Sequence, residues 1–284
     1  MAIIPVIESV LVLRAHLVPL RRAGTVALVP TMGALHEGHL SLIRAACRAA
    51  SHVVVSLFVN PAQFAPHEDF ASYPRNLAQD VELITGLGLD GITIFAPSTV
   101  EIYPAPPVTQ FQLGDIATLW EGAARPTHFA GVALVVSKLL NIVQPDGAFF
   151  GEKDFQQMQV IRQIARDLSI QVEIIGAPIM REATGLAMSS RNVYLTEAER
   201  RDIAPKLFAA LKIAAEDIQS GAKVEKILLQ HQKNLLTAGF TAVDYFAYVD
   251  SETLAPLAAH RPHGRMIAAA RLGRTRLIDN IAVA

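Results

Sequence analysis

Short apolar runs recur along the chain, and each gives way to a longer stretch in which apolar residues return every third or fourth position. The runs Thr25–Val29, Val53–Val59, Ile92–Phe95, Ala148–Phe150 and Val172–Ile175 read as buried strands. Between them, His39–Ala50, Asn76–Leu87, Gly131–Val143 and Asp154–Leu168 carry the helical period. This strand–helix alternation predicts an α/β fold, a doubly wound, parallel, Rossmann-like sheet with its sites at the carboxyl ends of strands. The apolar N-terminal stretch is broken by Pro5, Glu8, Arg14 and His16, so it is expected to be an amphipathic helix on the sheet, neither leader nor membrane span.

Beyond Ile179 the pattern changes. Thr196–Glu199 reads as a capping box opening one long helix to about Ser220, followed by a second helix over Val224–Leu236. Strand candidates at Tyr245–Val249, Met266–Ala270 and Thr275–Ile278 complete a smaller α+β domain. The expected division is a nucleotide- and substrate-binding domain over 1–178 and a lid domain over 179–284. The stretch Pro97–His128, with five prolines, interrupts the rhythm and is too long for an idle connection.

Composition narrows the classes. A net charge of −1 over 284 residues gives no global attraction to nucleic acid or anionic membrane, which leaves small molecules as the expected partners. The single Cys47 excludes an internal disulfide framework and suits the cytoplasm. Only 6% of residues are aromatic, too few for a single-strand binding platform.

Four segments carry candidate chemistry. In VPTMGALHEGHL, an apolar strand passes through a tight turn at Gly33 into a helix start flanked by His36 and His39. Backbone N–H groups and the helix dipole favour phosphate there, and imidazoles add aimed donors. A metal reading is weaker, because the spacing is HxxH without the HExxH pattern or a third ligand nearby. In NPAQF, Asn60 and Gln63 follow a strand and offer neutral donors and acceptors for a hydroxyl or carboxylate. In GEKDFQQ, Gly151 permits close approach to a ligand, Lys153 supplies a cation for phosphate, Asp154 suits a ribose hydroxyl pair, and Gln157 lies one helical turn on. In MSSRN, Ser189, Ser190 and Arg191 suit the outer phosphates of a triphosphate and sit where a lid would close. Gly86, Gly88 and Gly91 match GxGxxG but follow a helix and precede a strand, the reverse of the dinucleotide order, so they are a connection.

Taken together, PTMGALHEGHLSLIRAA, FVNPAQF, YPRN, RPTHFAGV, FFGEKDFQQ, GLAMSSRN and RLGRTRLIDNI resemble the pantothenate synthetase (pantoate–β-alanine ligase) family, in order and over essentially the whole chain. The resemblance implies a cytoplasmic homodimer that joins pantoate to β-alanine at the expense of ATP, with Mg²⁺, through a pantoyl adenylate. It implies His36 and His39 as the phosphate-facing pair, with Lys153, Ser189, Ser190 and Arg191 also on phosphates. It implies Gln63 and Gln157 on pantoate, with Met32, Asn60 and Arg125 nearby. Pro30, Thr31, Met32, Gly151, Glu152, Asp154, Met180 and Met188 would line the ATP site, and Asp80 matches an acidic position associated with Mg²⁺. Gln79 stands where a second acid often lies, which favours a metal that arrives with the triphosphate. Leu134 and Thr184 depart from the family's usual threonine and aspartate, at positions without proposed chemistry. The competing readings are a nucleotidyltransferase that stops after nucleotide transfer, which gives Gln63 and Gln157 no task, and a non-catalytic nucleotide- or RNA-binding relative.

Overall fold

A computed structural model describes residues 4–66 and 68–283. Its larger sheet comprises β1 (Val6–Ile7), β2 (Val26–Thr31), β3 (His52–Leu57), β4 (Ile92–Phe95), β5 (Gly147–Gly151) and β6 (Glu173–Ala177). The strands are all parallel and lie in the order β1-β4-β3-β2-β5-β6. Two halves wind outward from β2, and the order reverses beside it, which opens a crevice at the carboxyl ends of β2 and β5. Strands β2, β3 and β4 are buried almost throughout, which is why they read as nearly continuous apolar runs.

Helices α1 (Val10–Ala23), α2 (Glu37–Ala49), α3 (Leu77–Thr85), α6 (His128–Val143) and α7 (Phe155–Asp167) cover the two faces. One apolar cluster packs α1, α6 and α7 on the sheet through Leu13, Leu17, Val136, Leu140 and Ile161. The other packs α2 and α3 through Leu40, Ile43, Ala46 and Ile84. The stretch between β4 and α6 is ordered as two short helices, α4 (Thr99–Ile102) and α5 (Glu121–Ala124), and a 3-10 turn over Asp115–Ala117. The Trp120 indole of this stretch donates to the Leu254 carbonyl at 2.8 Å.

The smaller unit is an antiparallel sheet of β7 (Ala242–Asp250), β8 (Gly264–Leu272) and β9 (Thr275–Val283) carrying α8 (Lys206–Gln219) and α9 (Val224–Thr237). Alternation gives this sheet two apolar faces. Phe246, Tyr248, Met266 and Ala268 face α8 and α9. Ala247, Val249 and Ile267 belong to the core of the larger domain. The sheet is therefore anchored to the larger domain through the inner faces of β7 and β8, while β9 borders open space between the two domains.

Two features depart from the sequence pattern. Strand β1 has no signal in it: two residues beside Pro5 leave no readable period. The single helix expected from Thr196 to Ser220 is broken. The capping box forms, with Thr196 N–H on Glu199 Oε2 at 2.8 Å and Glu199 N–H on Thr196 Oγ1 at 3.3 Å. It opens a π-helical turn over Glu199–Ile203, in which Ala204 N–H reaches the Glu199 carbonyl at 2.8 Å. Pro205 has no N–H and its ring crowds the preceding turn, so a regular α-helix resumes only at Lys206.

Candidate active site

The strand-to-helix turn after β2 is fixed from beneath. Gly33 takes φ +76, where any side chain is strained, and a Cβ there would also meet the Asp80 carboxylate at 2.9 Å. Thr31 Oγ1 accepts Gly33 N–H at 3.1 Å and donates to the Ser56 carbonyl at 2.9 Å. Asp80, buried on α3, accepts the N–H groups of Ala34 at 3.0 Å and Leu35 at 2.8 Å. Burial lifts this carboxyl above its usual range, against the pull of the two amides. Asp80 therefore anchors the turn and does not line the cleft, which departs from a metal-facing role.

His36 is the N-cap of α2. Its Nδ1 accepts Gly38 N–H at 3.1 Å, while His39 Nδ1 accepts His36 N–H at 3.4 Å, a reciprocal cap built from two imidazoles. An Nδ1 that accepts carries no proton, so each neutral ring holds its proton on Nε2. Burial first, then the Lys153 charge, holds His36 down at about 4, with Asp154 opposing. Burial, His36 and Lys153 hold His39 at about 3. The rings lie 4.1 Å apart between centroids. The site thus offers two uncharged N–H donors at neutral pH.

Gln63 ends a 3-10 turn, Pro61–Gln63, capped by Asn60. Asn60 Nδ2 donates to Gln63 Oε1 and to the Gly131 carbonyl, both at 3.1 Å, and its Oδ1 accepts from Ala62 N–H and the Tyr103 hydroxyl. Every polar atom of the Asn60 amide is thereby used within the protein. Its visible task is to orient Gln63, whose Nε2 approaches Met32 Sδ at 3.0 Å. The Gln63 carbonyl accepts from His128 Nδ1 at 3.0 Å and Arg125 at 3.4 Å. Arg125 is itself held by Glu68 at 2.6 and 2.7 Å and lies 3.5 Å from Glu121. Burial, then the Arg125 charge, keeps His128 near 4 despite its hydrogen bond.

After β5, the Gly151–Asp154 turn delivers Lys153 and Asp154 to the cleft. Among the described residues neither side chain has a hydrogen-bond or ion-pair partner, and the same is true of Gln157. Gly151 has ordinary dihedrals, and an added Cβ would meet nothing within 4 Å. Glu152 departs from expectation. Its carboxylate turns out of the cleft toward Arg265, 3.6 Å away, and the side chain lines neither compartment described below.

An antiparallel bridge between Arg181 and Ala187 brings Met180 beside Met188, with Met188 N–H on the Met180 carbonyl at 2.9 Å. The segment that follows docks on the larger domain. Arg191 makes a two-point ion pair with Asp69 at 2.9 and 3.0 Å, and Ser190 Oγ lies 3.2 Å from the Tyr73 hydroxyl. Ser189 Oγ accepts Arg191 N–H at 3.3 Å. Asp69 has no signal in the sequence, since 122 residues separate it from Arg191, and Tyr73 figures there only as the first residue of YPRN.

These parts enclose a two-compartment cleft. The inner compartment, about 220 Å³, is walled by Pro30, Thr31, Met32, both histidines, Gln63 and both methionines. The outer one, about 460 Å³, opens between the two domains beside Arg274 and Arg276. Arg125, His128, Lys153, Asp154, Gln157, Ser189 and Arg191 belong to both. Neutral donors, an unpaired lysine and amide side chains converge on one channel, the equipment for holding a polyphosphate against a small polar molecule.

A family model described as pantoate-beta-alanine ligase matches residues 5–282. This chain belongs to that family. The pantothenate synthetase of Sphingopyxis alaskensis is 50% identical over 279 residues, covering 98% of this chain and 99% of the relative. That of Moorella thermoacetica is 46% identical over 98% of each chain. Among solved structures, the Thermus thermophilus pantothenate synthetase superposes with a TM-score of 0.91 at 45% identity, covering 99% of both chains. The Francisella tularensis pantoate-beta-alanine ligase, complexed with beta-gamma ATP and beta-alanine, gives 0.83 at 33% identity over 99% of this chain and 98% of that one. The fold shared with these solved structures couples, in this chain, a six-stranded parallel sheet to a three-stranded antiparallel one.

Proposed function

We propose that the chain joins pantoate to β-alanine in two steps within this cleft, with ATP as the activating substrate. A pantoate carboxylate oxygen bonds to the α-phosphorus of ATP while the bond from that phosphorus to the bridging oxygen breaks, releasing pyrophosphate. The β-alanine amine then attacks the carbonyl of the pantoyl adenylate. AMP leaves with the bonding electrons, and the nitrogen loses a proton as the amide forms. Activation is needed because a free carboxylate is a poor electrophile.

The observation that carries the reading is the neutral His36–His39 pair, fixed by backbone hydrogen bonds, opposite the unpaired Lys153. Preorganised donors aimed at developing charge cost no reorganisation during reaction. In this account the histidines and Lys153 stabilise the phosphates during the first step. Gln63 and Gln157 hold pantoate, with Met32 beneath it. Pro30, Thr31, Gly151, Asp154, Met180 and Met188 receive the nucleoside. Ser189, Ser190 and Arg191 take the outer phosphates, which requires Arg191 to exchange Asp69 for phosphate, and residues 179–284 supply this lid.

A resident Mg²⁺ site does not fit the residues. Both Asp80 oxygens accept backbone N–H groups, and among the described residues no three His, Cys, Asp or Glu side chains cluster around a point that could hold a metal. Mg²⁺ belongs to the proposal as part of the nucleotide substrate, MgATP. A cytoplasmic homodimer formed through the larger domain completes it; sedimentation equilibrium checks the assembly. Among the described residues no helix is long and apolar enough to cross a membrane.

The two-step route is tested with pantoate carrying ¹⁸O in its carboxylate. One labelled oxygen per turnover should appear in AMP, since that oxygen bonds phosphorus before the amine arrives. Unlabelled AMP from an active enzyme would rule out the adenylate.

A further inference from the structure

The Asp279–Asn280 pair on β9, in the smaller domain, is spent on two loops of the cleft. Asn280 is buried, with 3% of its surface exposed. Its Nδ2 donates to the backbone carbonyls of Glu152 at 2.9 Å and Lys153 at 3.0 Å. Its Oδ1 accepts from Arg265, whose guanidinium lies over the Phe155 ring at 3.8 Å and 3.6 Å from the Glu152 carboxylate. The amide orientation follows from its partners: turned over, it would set its oxygen against two carbonyls and its NH₂ against a guanidinium. Asp279 Oδ1 accepts Asn280 N–H at 2.7 Å, and its carboxylate also grips Arg181 at 2.6 and 2.9 Å. Arg181 stands at the root of the hairpin that carries Met188–Arg191.

We infer that Asn280 is a positioning residue for the first half-reaction. It clamps the Glu152–Lys153 backbone from the opposite domain and so fixes where the Lys153 ammonium meets phosphate, while Asp279 ties the root of the lid to the same point. This rests on the phosphate role proposed for Lys153. That side chain has no partner of its own among the described residues, so its reach is set by its backbone, and among the side chains of the described residues Asn280 alone holds the last two carbonyls before Asp154. The smaller domain is then a fixed abutment for the catalytic turn as well as the bearer of the lid.

The test is a double-mutant cycle on pantoate-dependent pyrophosphate–ATP exchange, using the full-length enzyme with thermal midpoints recorded for each variant. N280D keeps the shape and the Arg265 contact but removes both donors. A displacement of about 1 Å can cost on the order of 100-fold, so N280D is expected to lower kcat by about ten- to a hundredfold with the KM for pantoate little changed. The N280D/K153A double variant should lie within about threefold of K153A alone, because Asn280 acts through Lys153. Multiplying losses, or N280D exchange at the normal rate, would overturn the inference. If K153A itself is fully active, the phosphate role of Lys153 fails instead, a separate result. Should N280D not fold, N280S, which retains one donor, must show an intermediate loss and the same non-additivity.

Discussion

Removing one imidazole from the capped pair tests the chemistry of the cleft directly. Both Nδ1 atoms accept backbone N–H groups, so both protons sit on Nε2, and burial keeps the rings neutral, near 4 for His36 and 3 for His39. At pH 6 a group with pKa 4 is only about 1% protonated. The kcat/KM for ATP, which follows the ionisations of the free enzyme, should therefore show no histidine limb between pH 6 and 8. His39→Ala removes one preorganised donor from the phosphates, a loss worth roughly 3–4 kcal/mol or about 100- to 1000-fold in kcat. Pantoate KM should change by less than about threefold, because the interaction strengthens only as charge develops. The assay is single-turnover pyrophosphate release across pH 5.5–9, for the parent enzyme and for His36→Ala and His39→Ala. A kcat/KM limb centred between pH 6 and 7 that vanishes in a histidine variant would show imidazolium in the free enzyme and refute the tautomer argument. An unchanged kcat with a raised KM would refute the transition-state role.

Other consequences follow from the same contacts. His128 is held near 4 in the fold, below the 6.5 of an unfolded chain, so its contribution is complete above pH 6.5 and is lost as pH falls toward 4. Between pH 7 and 5 this amounts to about 2 kcal/mol, and urea titrations should show His128→Gln losing about that much less than the parent. Asp69→Asn should free Arg191 for the nucleotide and lower the KM for ATP by roughly three- to tenfold; an unchanged KM would mean that Arg191 does not exchange partners. Gly131→Ala would drive a methyl group into the Ala62 carbonyl beneath Gln63, so a loss of about 1–3 kcal/mol in denaturant and a raised pantoate KM are expected. Gly151→Val meets open space, so the thermal midpoint should hold while ATP-dependent turnover falls.

What the sequence made legible was whatever its information kept local. Strands β2, β3 and β4 announced themselves because burial on both faces leaves them mostly apolar, with Thr31, His52, Ser56 and Thr93 as the buried polar exceptions. His36 and His39 were readable because strand, turn and helix start are contiguous. The partners that tune these groups were not. Asp80 reaches Ala34 and Leu35 from 45 and more residues away, so the resemblance that set it beside a metal gave no sign of its hold on the backbone. Glu152 was placed in the ATP site by the resemblance alone, yet the next domain's Arg265 draws it out. Asn60 looked like a substrate ligand, and its amide is consumed in aiming Gln63. The broken helix is different. Pro205 was in plain view and its missing N–H marked the interruption that the capping box at Thr196 concealed.

In the proposed reaction this cleft activates pantoate as an acyl adenylate before the amine is used. The most direct measurement is exchange of labelled pyrophosphate into ATP with MgATP and pantoate present and β-alanine omitted. Exchange that depends on pantoate, and is lost in His39→Ala, is the predicted result. Absence of exchange from folded enzyme that still makes pantothenate when β-alanine is added would contradict it, because a route without a free adenylate would then be operating.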